Sequence, residues 1–169
     1  ALLHQKNQIG LHPSYISNKH PHLIGVEKKR LEDVLGEKTT KSRQHFLKLY
    51  LPETYENLIH EGIEHDYTMG YASKIGFRAG ICNPFPFFNL KTNEQTNLML
   101  HPFQIMDGTL NGHMQLTPEE ALAKSKKIIN NVKAVRGTFI SLWHNSSLTE
   151  QKEWKNWKRI YTELVDFAQ

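Results

Sequence analysis

The sequence predicts an α/β fold in which parallel strands alternate with outer helices. Short apolar stretches of strand length alternate along the chain with amphipathic stretches of helical spacing, which is the pattern of parallel strands joined by right-handed crossovers. Polar clusters repeatedly follow the predicted strands. An α/β barrel builds its site from residues just beyond the C-terminal ends of its strands, so these clusters favour a barrel over an open sheet.

The elements follow one another in a regular order. The sequence predicts strands over 8–11, 40–47, 63–67 and 138–143, and helices over 23–35, from Pro52 to Gly62, from Thr117 onward and around 154–164. Thr117-Pro118-Glu119-Glu120 is the clearest helix start, because a Thr cap followed three residues later by Glu makes a capping box. The stretch 68–116 is rich in Gly, Asn, Pro and Phe, and we predict a long insertion there with short strands at 85–90 and 98–105.

Composition bounds the class of protein. A chain of 169 residues with 38% hydrophobic and 22% charged residues suits one globular domain over 1–169. Its 21 basic and 17 acidic residues are scattered, and no basic run exceeds Lys28-Lys29-Arg30, so no nucleic-acid partner is indicated. The single cysteine, Cys82, excludes an internal disulfide. No apolar stretch is long enough for a transmembrane segment, and the start of this chain lacks a signal-peptide pattern, which leaves the compartment open.

Five polar residues lie at or just beyond predicted strand ends: His12, Arg43, His45, Asp66 and His144. The C-terminal ends of parallel strands meet at one rim, so we expect these side chains to converge there. The chain has 10 histidines, and one histidine at a strand end says little by itself. The joint placement of the five residues therefore carries the prediction of a site.

Each of these residues also has an ordinary structural interpretation. Arg43 offers a fork of donors that suits a carboxylate, or else forms a surface salt bridge, and His45 is a candidate metal ligand. Asp66 accepts a hydrogen bond from Arg43 or from a catalytic histidine, or is a solvated loop residue. His144 follows the strand ending in Trp143, and an imidazole is the side chain most often used to transfer protons in catalysis, which favours an acid–base role.

Candidate substrate contacts are less specific. Arg78 lies between two glycines in Gly76-Phe77-Arg78-Ala79-Gly80, where it either approaches a ligand closely or remains solvated. Several aromatic residues fit either a sugar-stacking wall or a small core within the insertion: Phe85, Phe87, Phe88, Tyr67 and Tyr71.

The segments GLHPSY, SRQHFLK, DYTMGYA, GFRAG and LWHN, in this order, resemble the NodB-type polysaccharide deacetylases of carbohydrate esterase family four, closest to a divergent bacterial branch. The resemblance implies part of a (β/α) barrel of that type, which hydrolyses N-acetyl groups on a glycan with a divalent metal ion, zinc being expected. It implies that His12, in Gly10-Leu11-His12, binds the metal and that His144 is the general acid. Arg43 and Asp66 correspond to its further catalytic motifs, and we assign substrate binding to Arg78, Tyr67 and Trp143.

Two departures from the family pattern bear on activity. The family's second metal histidine stands four residues after the first, where this chain has Ile16, so we assign metal binding to His45, with His20 as the weaker candidate. The family's opening aspartate pair does not precede His12. We therefore expect 1–169 to be a fragment that lacks its N-terminal strand or strands, is inactive in isolation and can self-associate through an open sheet edge.

Two alternatives to a deacetylase remain. The first is a catalytically inactive carbohydrate-binding or scaffold domain of the same fold, for which Ile16 and the missing aspartates are the motivation. The second is a different metal-dependent amidohydrolase or sugar-processing barrel. The sequence leaves open the glycan, the metal, the oligomeric state and the location, either bacterial cytoplasm or cell envelope.

Overall fold

The structure is a computed structural model that describes residues 7–169, and it has a mixed α/β fold. The chain divides into two compact units. The first unit comprises the residues up to Met69 together with 84–101, and the second comprises 70–83 and 102–169. The helices are α1 (His22–Leu35), α2 (Glu53–His60), α3 (Pro118–Ala134) and α4 (Trp157–Ala168), and the strands are β1 (Lys41–Ser42), β2 (His65–Asp66), β3 (Phe85–Asn89), β4 (Glu94–Leu100), β5 (Ile105–Met106) and β6 (Ser141–Leu142).

The first unit holds a four-stranded sheet in the order β1-β2-β4-β3. The pairs β1–β2 and β2–β4 are parallel, and β3 adds to β4 as an antiparallel neighbour. Leu11 makes a further parallel bridge to Ser42. The register therefore sets Leu11, Ser42, Asp66 and Leu100 in one row across the sheet.

Helices α1 and α2 supply apolar side chains to the core of the first unit. Ile24 comes from α1, and Tyr55 and Leu58 come from α2. The whole core cluster consists of Leu11, Ile24, Tyr55, Leu58, Ile63, Phe87, Leu98 and Leu100. Gly36 has a φ of 74° and ends α1, as predicted, because a left-handed residue stops a helix. Pro52 precedes α2, and Gly62 follows it with a φ of 72°.

The second unit pairs β5 with β6 in parallel and packs α3 with α4. Two clusters of buried apolar residues in this unit comprise Ile105, Leu110, Ala121, Ile129, Trp157, Ile160 and Leu164. The predicted capping box at the start of α3 is confirmed: Thr117 Oγ1 accepts from the backbone N–H of Glu120, and the Glu120 carboxylate accepts from that of Thr117.

The α/β class with parallel strands is confirmed. The strands predicted over 8–11, 40–47, 63–67 and 138–143 are longer than the observed pairings, and the strand predicted over 98–105 is replaced by β4 (Glu94–Leu100) and β5 (Ile105–Met106). Only Lys41–Ser42 of the predicted strand 40–47 is extended in a sheet, because Phe46 and Leu47 take φ values of 56° and 53°, which no strand accommodates. The stretch 68–116, where the sequence predicts an insertion, supplies β3 and β4 to one unit and β5 to the other.

Two further predictions concern the architecture. Within residues 7–169 the strands form a four-stranded and a two-stranded sheet, neither of which closes on itself, so the barrel stays a prediction. The expected loss of a first strand concerns the segment ahead of Asn7, which lies outside the described residues. None of the helices in the described range combines the length and apolarity that a bilayer crossing requires.

Candidate functional site

The C-terminal edge of the first sheet carries a row of polar and aromatic residues. His12, Arg43, Tyr67 and His101 each follow a residue of one register row, so the ladder delivers them side by side. His12 Nδ1 lies 2.6 Å from the carbonyl oxygen of Arg43, and the Arg43 guanidinium lies over the Tyr67 ring at 5.9 Å. The Tyr67 and His101 rings are stacked, with their centroids 4.4 Å apart. The row is thus a connected set of contacts.

Gly10 explains how His12 reaches this edge. A Cβ at residue 10 would lie 3.0 Å from the carbonyl oxygen of Lys41, a contact that forces the neighbouring strand to shift. The absent side chain lets the chain run close to β1, where the Leu11 N–H donates to Lys41 O at 2.8 Å and the Arg43 N–H donates to Leu11 O at 3.0 Å. The Gly-x-His spacing therefore has a steric reason.

His12 and His45 face each other through their ring nitrogens. His45 Nδ1 lies 2.9 Å from His12 Nε2. A carbonyl oxygen only accepts hydrogen bonds, so the contact with Arg43 O places a proton on His12 Nδ1 and, in the neutral ring, leaves a lone pair on Nε2. The two facing nitrogens then either share a proton or both present lone pairs to one cation. In the second case His45 carries its proton on Nε2.

This pair fits the histidine part of a zinc site. Zinc–nitrogen bonds of about 2.0–2.1 Å in tetrahedral geometry separate two ligand nitrogens by about 3.3 Å, so the pair would need to open only slightly. A backbone carbonyl on the second ring nitrogen, as at His12, is the usual way a metal-binding histidine is oriented. In the described part of the chain, no group of three or more His, Cys, Asp and Glu side chains is placed to hold an ion. The pair therefore supplies two donors, and metal binding stays a prediction.

Aromatic side chains surround His45. Its ring centroid lies 4.8 Å from that of Phe46 and 6.5 Å from that of Tyr15, and the Phe46 and Tyr15 centroids are 5.4 Å apart. Phe46 is a large apolar residue, yet its side chain is 73% exposed. Its backbone has a positive φ. A bulky residue held in the left-handed region costs free energy, and such outliers concentrate at functional sites.

Asp66 is fully buried and positions the chain around His45. Its carboxylate accepts from Ser42 Oγ at 2.9 Å, from Thr68 Oγ1 at 2.8 Å and from the Thr68 N–H at 2.9 Å. Thr68 Oγ1 in turn accepts from the Gln44 N–H at 2.9 Å. Burial raises the pKa of Asp66 to about 6, against the opposing effects of these hydrogen bonds and of Arg43. The network fixes the segment from Ser42 to His45.

Arg43 is anchored by the backbone of the neighbouring strand. Its Nε donates to the carbonyl oxygen of Tyr67 at 3.0 Å. Burial lowers the pKa of Arg43, and the negative charge of Asp66 opposes that effect. The hydrogen bond to Tyr67 O holds the guanidinium in a fixed orientation even when no ligand is bound. The sequence left open whether Asp66 accepts from Arg43, accepts from a catalytic histidine or is a solvated loop residue. The solvated interpretation is wrong because Asp66 is completely buried, and its carboxylate accepts hydrogen bonds from Ser42 and Thr68.

The second unit carries an aspartate–histidine pair that the sequence analysis missed. Asp107 follows β5 and His144 lies two residues beyond β6, at the same end of the parallel pair. Asp107 Oδ1 lies 2.7 Å from His144 Nδ1, and Asp107 Oδ2 accepts from the His144 N–H at 2.6 Å. The Asp107 side chain is completely buried, whereas that of His144 is 55% exposed. The aspartate therefore fixes the ring and leaves Nε2 on the accessible side.

Two further donors hold the Asp107 carboxylate. Gly108 N–H donates to Oδ1 at 2.6 Å, and the Ser147 hydroxyl makes a short contact with Oδ2 and lies 2.6 Å from the carbonyl oxygen of His144. The signal for Asp107 was present in the sequence, because it directly follows the apolar pair Ile105–Met106. It was missed because the predicted strand ended at Ile105 inside a stretch assigned to an insertion.

The remaining predicted residues have mixed placements. Arg78 Nη1 donates to the carbonyl oxygen of Gly70 at 3.0 Å. Trp143 packs edge-on to Tyr161 at 5.2 Å and joins the core of the second unit. Phe87 packs on Tyr55 of α2 and joins the core of the first unit rather than a separate core within the insertion, while Phe88 is exposed. His20 makes its ring contact with His22.

The predicted residues are distributed over both units. His12, Arg43, His45, Asp66 and Tyr67 belong to the first unit, and Arg78, Trp143 and His144 belong to the second. The structure brings the first group together through the contacts described above. Convergence of His144 with that group stays a prediction. Comparison with protein-family models gave no match, and no curated protein has a matching sequence.

Proposed function

We propose that the protein is a metal-dependent hydrolase that removes N-acetyl groups from a glycan, with zinc as the ion. The observation that carries the proposal is the 2.9 Å separation of His12 Nε2 and His45 Nδ1, with the other nitrogen of His12 held on a backbone carbonyl. When bound, the ion would polarise the acetyl carbonyl and activate water for attack on it. Donors for the rest of its coordination shell would come from water or from groups outside the described residues.

The chain's own residues supply proton transfer and orientation. His144 is the general acid that protonates the departing amine from Nε2, because Asp107 occupies its Nδ1 and holds the ring. Arg43 and Asp66 act at the strand ends, where Asp66 fixes the segment that carries Arg43 and His45. Arg78, Tyr67 and Trp143 are proposed substrate contacts, with the exposed part of each available to the glycan.

We propose the (β/α) barrel of the NodB-type polysaccharide deacetylases as the complete architecture. The parallel pairing of β1 with β2, of β2 with β4 and of β5 with β6 supports this proposal. Further support comes from functional side chains that follow strand ends in both units, as the fold requires. Self-association through a sheet edge remains part of the proposal.

The alternative is a carbohydrate-binding or scaffold domain of the same fold that does not use metal. It is favoured by Ile16 in place of the family's second metal histidine and by the lack of a third donor near the pair within residues 7–169. The two functions predict opposite results for metal dependence.

Acetate release tests the proposal. The full-length gene product, stripped with a chelator, is assayed on an N-acetylglucosamine tetramer before and after zinc is added. We expect activity to return with zinc in the wild type and in the control His60→Ala, and to stay absent in His12→Ala. His60 is the control because it is an exposed histidine at the end of α2, with its ring nitrogen 3.3 Å from the adjacent Glu61. His101 forms a similar pair with His65, at 3.0 Å, and serves as a control for zinc binding but not for activity, because its ring stacks on Tyr67. Glycan binding without zinc-dependent acetate release would favour the alternative.

A further inference from the structure

A cavity of about 250 Å³ lies within the first unit, next in sequence to the proposed metal pair. Its lining includes Gln44, the residue before His45, together with Asn18, Ile24, Glu53 and Asn57. One water needs roughly 10–15 Å³ of such space, so the cavity is far larger than a packing defect. It is of a size for a small ligand.

Two amide side chains in this cavity have unused hydrogen-bonding groups. The Gln44 side chain is buried, and Asn18 Nδ2 donates to its Oε1 at a long 3.4 Å. Among the described residues, Gln44 Nε2 and Asn18 Oδ1 have no hydrogen-bond partner. Exchanging the oxygen and nitrogen positions of both amides preserves their mutual contact and again leaves one donor and one acceptor. Under either assignment, one donor and one acceptor of these two lining residues therefore lack a partner, and both atoms are almost completely shielded from solvent.

Gln104 in the second unit shows that a buried glutamine in this chain can be fully satisfied. Gln44 and Gln104 are each 1% exposed. Gln104 Nε2 donates to Pro102 O at 2.8 Å, and its Oε1 accepts from the Ile140 N–H at 2.8 Å. A buried amide without such partners lowers stability relative to an apolar side chain of the same shape. Gln44 therefore differs from Gln104, and a ligand that bonded its amide would remove this cost.

We propose that this cavity binds a neutral, hydroxyl-bearing sugar ring of the glycan, and this inference rests on the proposed function. A hydroxyl both donates and accepts, which matches the donor and acceptor left on Gln44 and Asn18. Tyr50, which lines the cavity and is 61% exposed, offers apolar ring surface to the C–H face of a sugar. Among the described residues, the lining includes the carboxylate of Glu53 and no cationic side chain, so an acidic sugar would be repelled. The cavity is then a subsite that positions the chain of sugars relative to the His12–His45 pair.

Calorimetric titration of the full-length protein tests this subsite. The His144→Gln background keeps the substrate intact, and the probes are the N-acetylglucosamine tetramer and the galacturonate tetramer. We expect Gln44→Met to lower the affinity for the neutral tetramer about tenfold or more, as loss of one or two good hydrogen bonds would, while its unfolding temperature stays the same or rises. The matched control Gln104→Met should lower the unfolding temperature and leave the affinity unchanged.

Asn18→Ala is the second variant and should also weaken binding, which keeps the test valid if Gln44→Met does not fold. The inference is overturned if both variants bind the neutral tetramer as the parent does, if the acidic tetramer binds as tightly, or if the parent binds neither. Acetate release separates this inference from the proposed function. If the parent releases acetate but Gln44→Met binds the tetramer unchanged, only the subsite inference fails. If binding depends on Gln44 but no zinc-dependent acetate release is found, only the proposed deacetylase function fails.

Discussion

The carboxylate of Asp107 lies 2.7 Å from Nδ1 of His144 and is shielded completely from solvent, while the imidazole itself is half exposed. A buried carboxylate that holds one ring nitrogen fixes both the tautomer and the direction of the other nitrogen. This arrangement gives an exposed histidine a defined orientation, which a general acid needs. It also makes Asp107 a positioning residue whose effect can be measured separately from that of His144.

Replacing Asp107 with Asn should lower kcat for deacetylation by about a hundredfold, because the amide can present an N–H to His144 and favour the wrong tautomer. KM should change little, since Asp107 has no solvent-facing surface for substrate. Steady-state kinetics on the full-length protein, with unfolding measured in parallel, checks this. A kcat within a fewfold of the wild type, in a folded variant, would remove the orienting role.

Replacing His144 with Ala or Gln in the full-length protein should lower turnover by roughly a hundredfold or more through loss of general acid catalysis. The fold and the zinc content should be retained, because the proposed metal donors are His12 and His45. Kinetics combined with elemental analysis measures both effects. An unchanged rate would transfer the acid role to another group.

The prediction for Asp66 concerns stability and pH. A carboxyl whose pKa is raised in the folded state binds its proton more tightly there than in the unfolded chain, so its stabilising contribution is full below about pH 4 and is lost as pH rises through about 6. A rise in the pKa of Asp66 from its ordinary value to about 6 corresponds to about 3 kcal/mol of stability. The wild type should lose this stability as the pH rises from 4 to 7, whereas Asp66→Asn should not. The free energy of unfolding of Asp66→Asn relative to wild type should therefore increase by up to that amount over this range.

Denaturant unfolding at pH 4, 5, 6 and 7 measures this difference. Asp33→Asn is the control, because Asp33 is exposed on α1 and pairs with Lys29 at the surface. Its difference from wild type should stay within about 1 kcal/mol across the range. A stability difference between wild type and Asp66→Asn that does not move with pH would contradict the raised pKa.

Sequence reasoning predicted two kinds of feature, those set by neighbouring residues and the edge at which parallel strands end. The C-terminal end of α1 and the start of α3 follow from Gly36 and the Thr117 capping box, whose chemistry is contained within a few positions. The meeting of His12 and His45 followed from the expectation that parallel strands end at one edge. The alternation of strands and helices along the chain indicated the α/β class, because parallel strands need helical connections between them.

The remaining features depend on partners that are distant in sequence. Asp107 is recognisable as a site residue only once β6 brings His144, 37 positions later, against its carboxylate. Gln44 looks like an ordinary polar residue until burial leaves its Nε2 without a partner. The strand over 40–47 was predicted too long because nothing in the residue types of Phe46 and Leu47 reveals a positive φ, which bulky residues rarely adopt.

Zinc stoichiometry tests the central claim most directly. Chelator-treated full-length wild type, His12→Ala, His45→Ala and the control His101→Ala are titrated with zinc in a calorimeter near neutral pH. We predict one ion per chain in the wild type and in His101→Ala, and affinity lowered at least a hundredfold in His12→Ala and His45→Ala, because each removes one of the two nitrogen donors. A wild type that binds no zinc, or a His12→Ala variant that binds it as the wild type does, would contradict the assignment of this pair as a metal site.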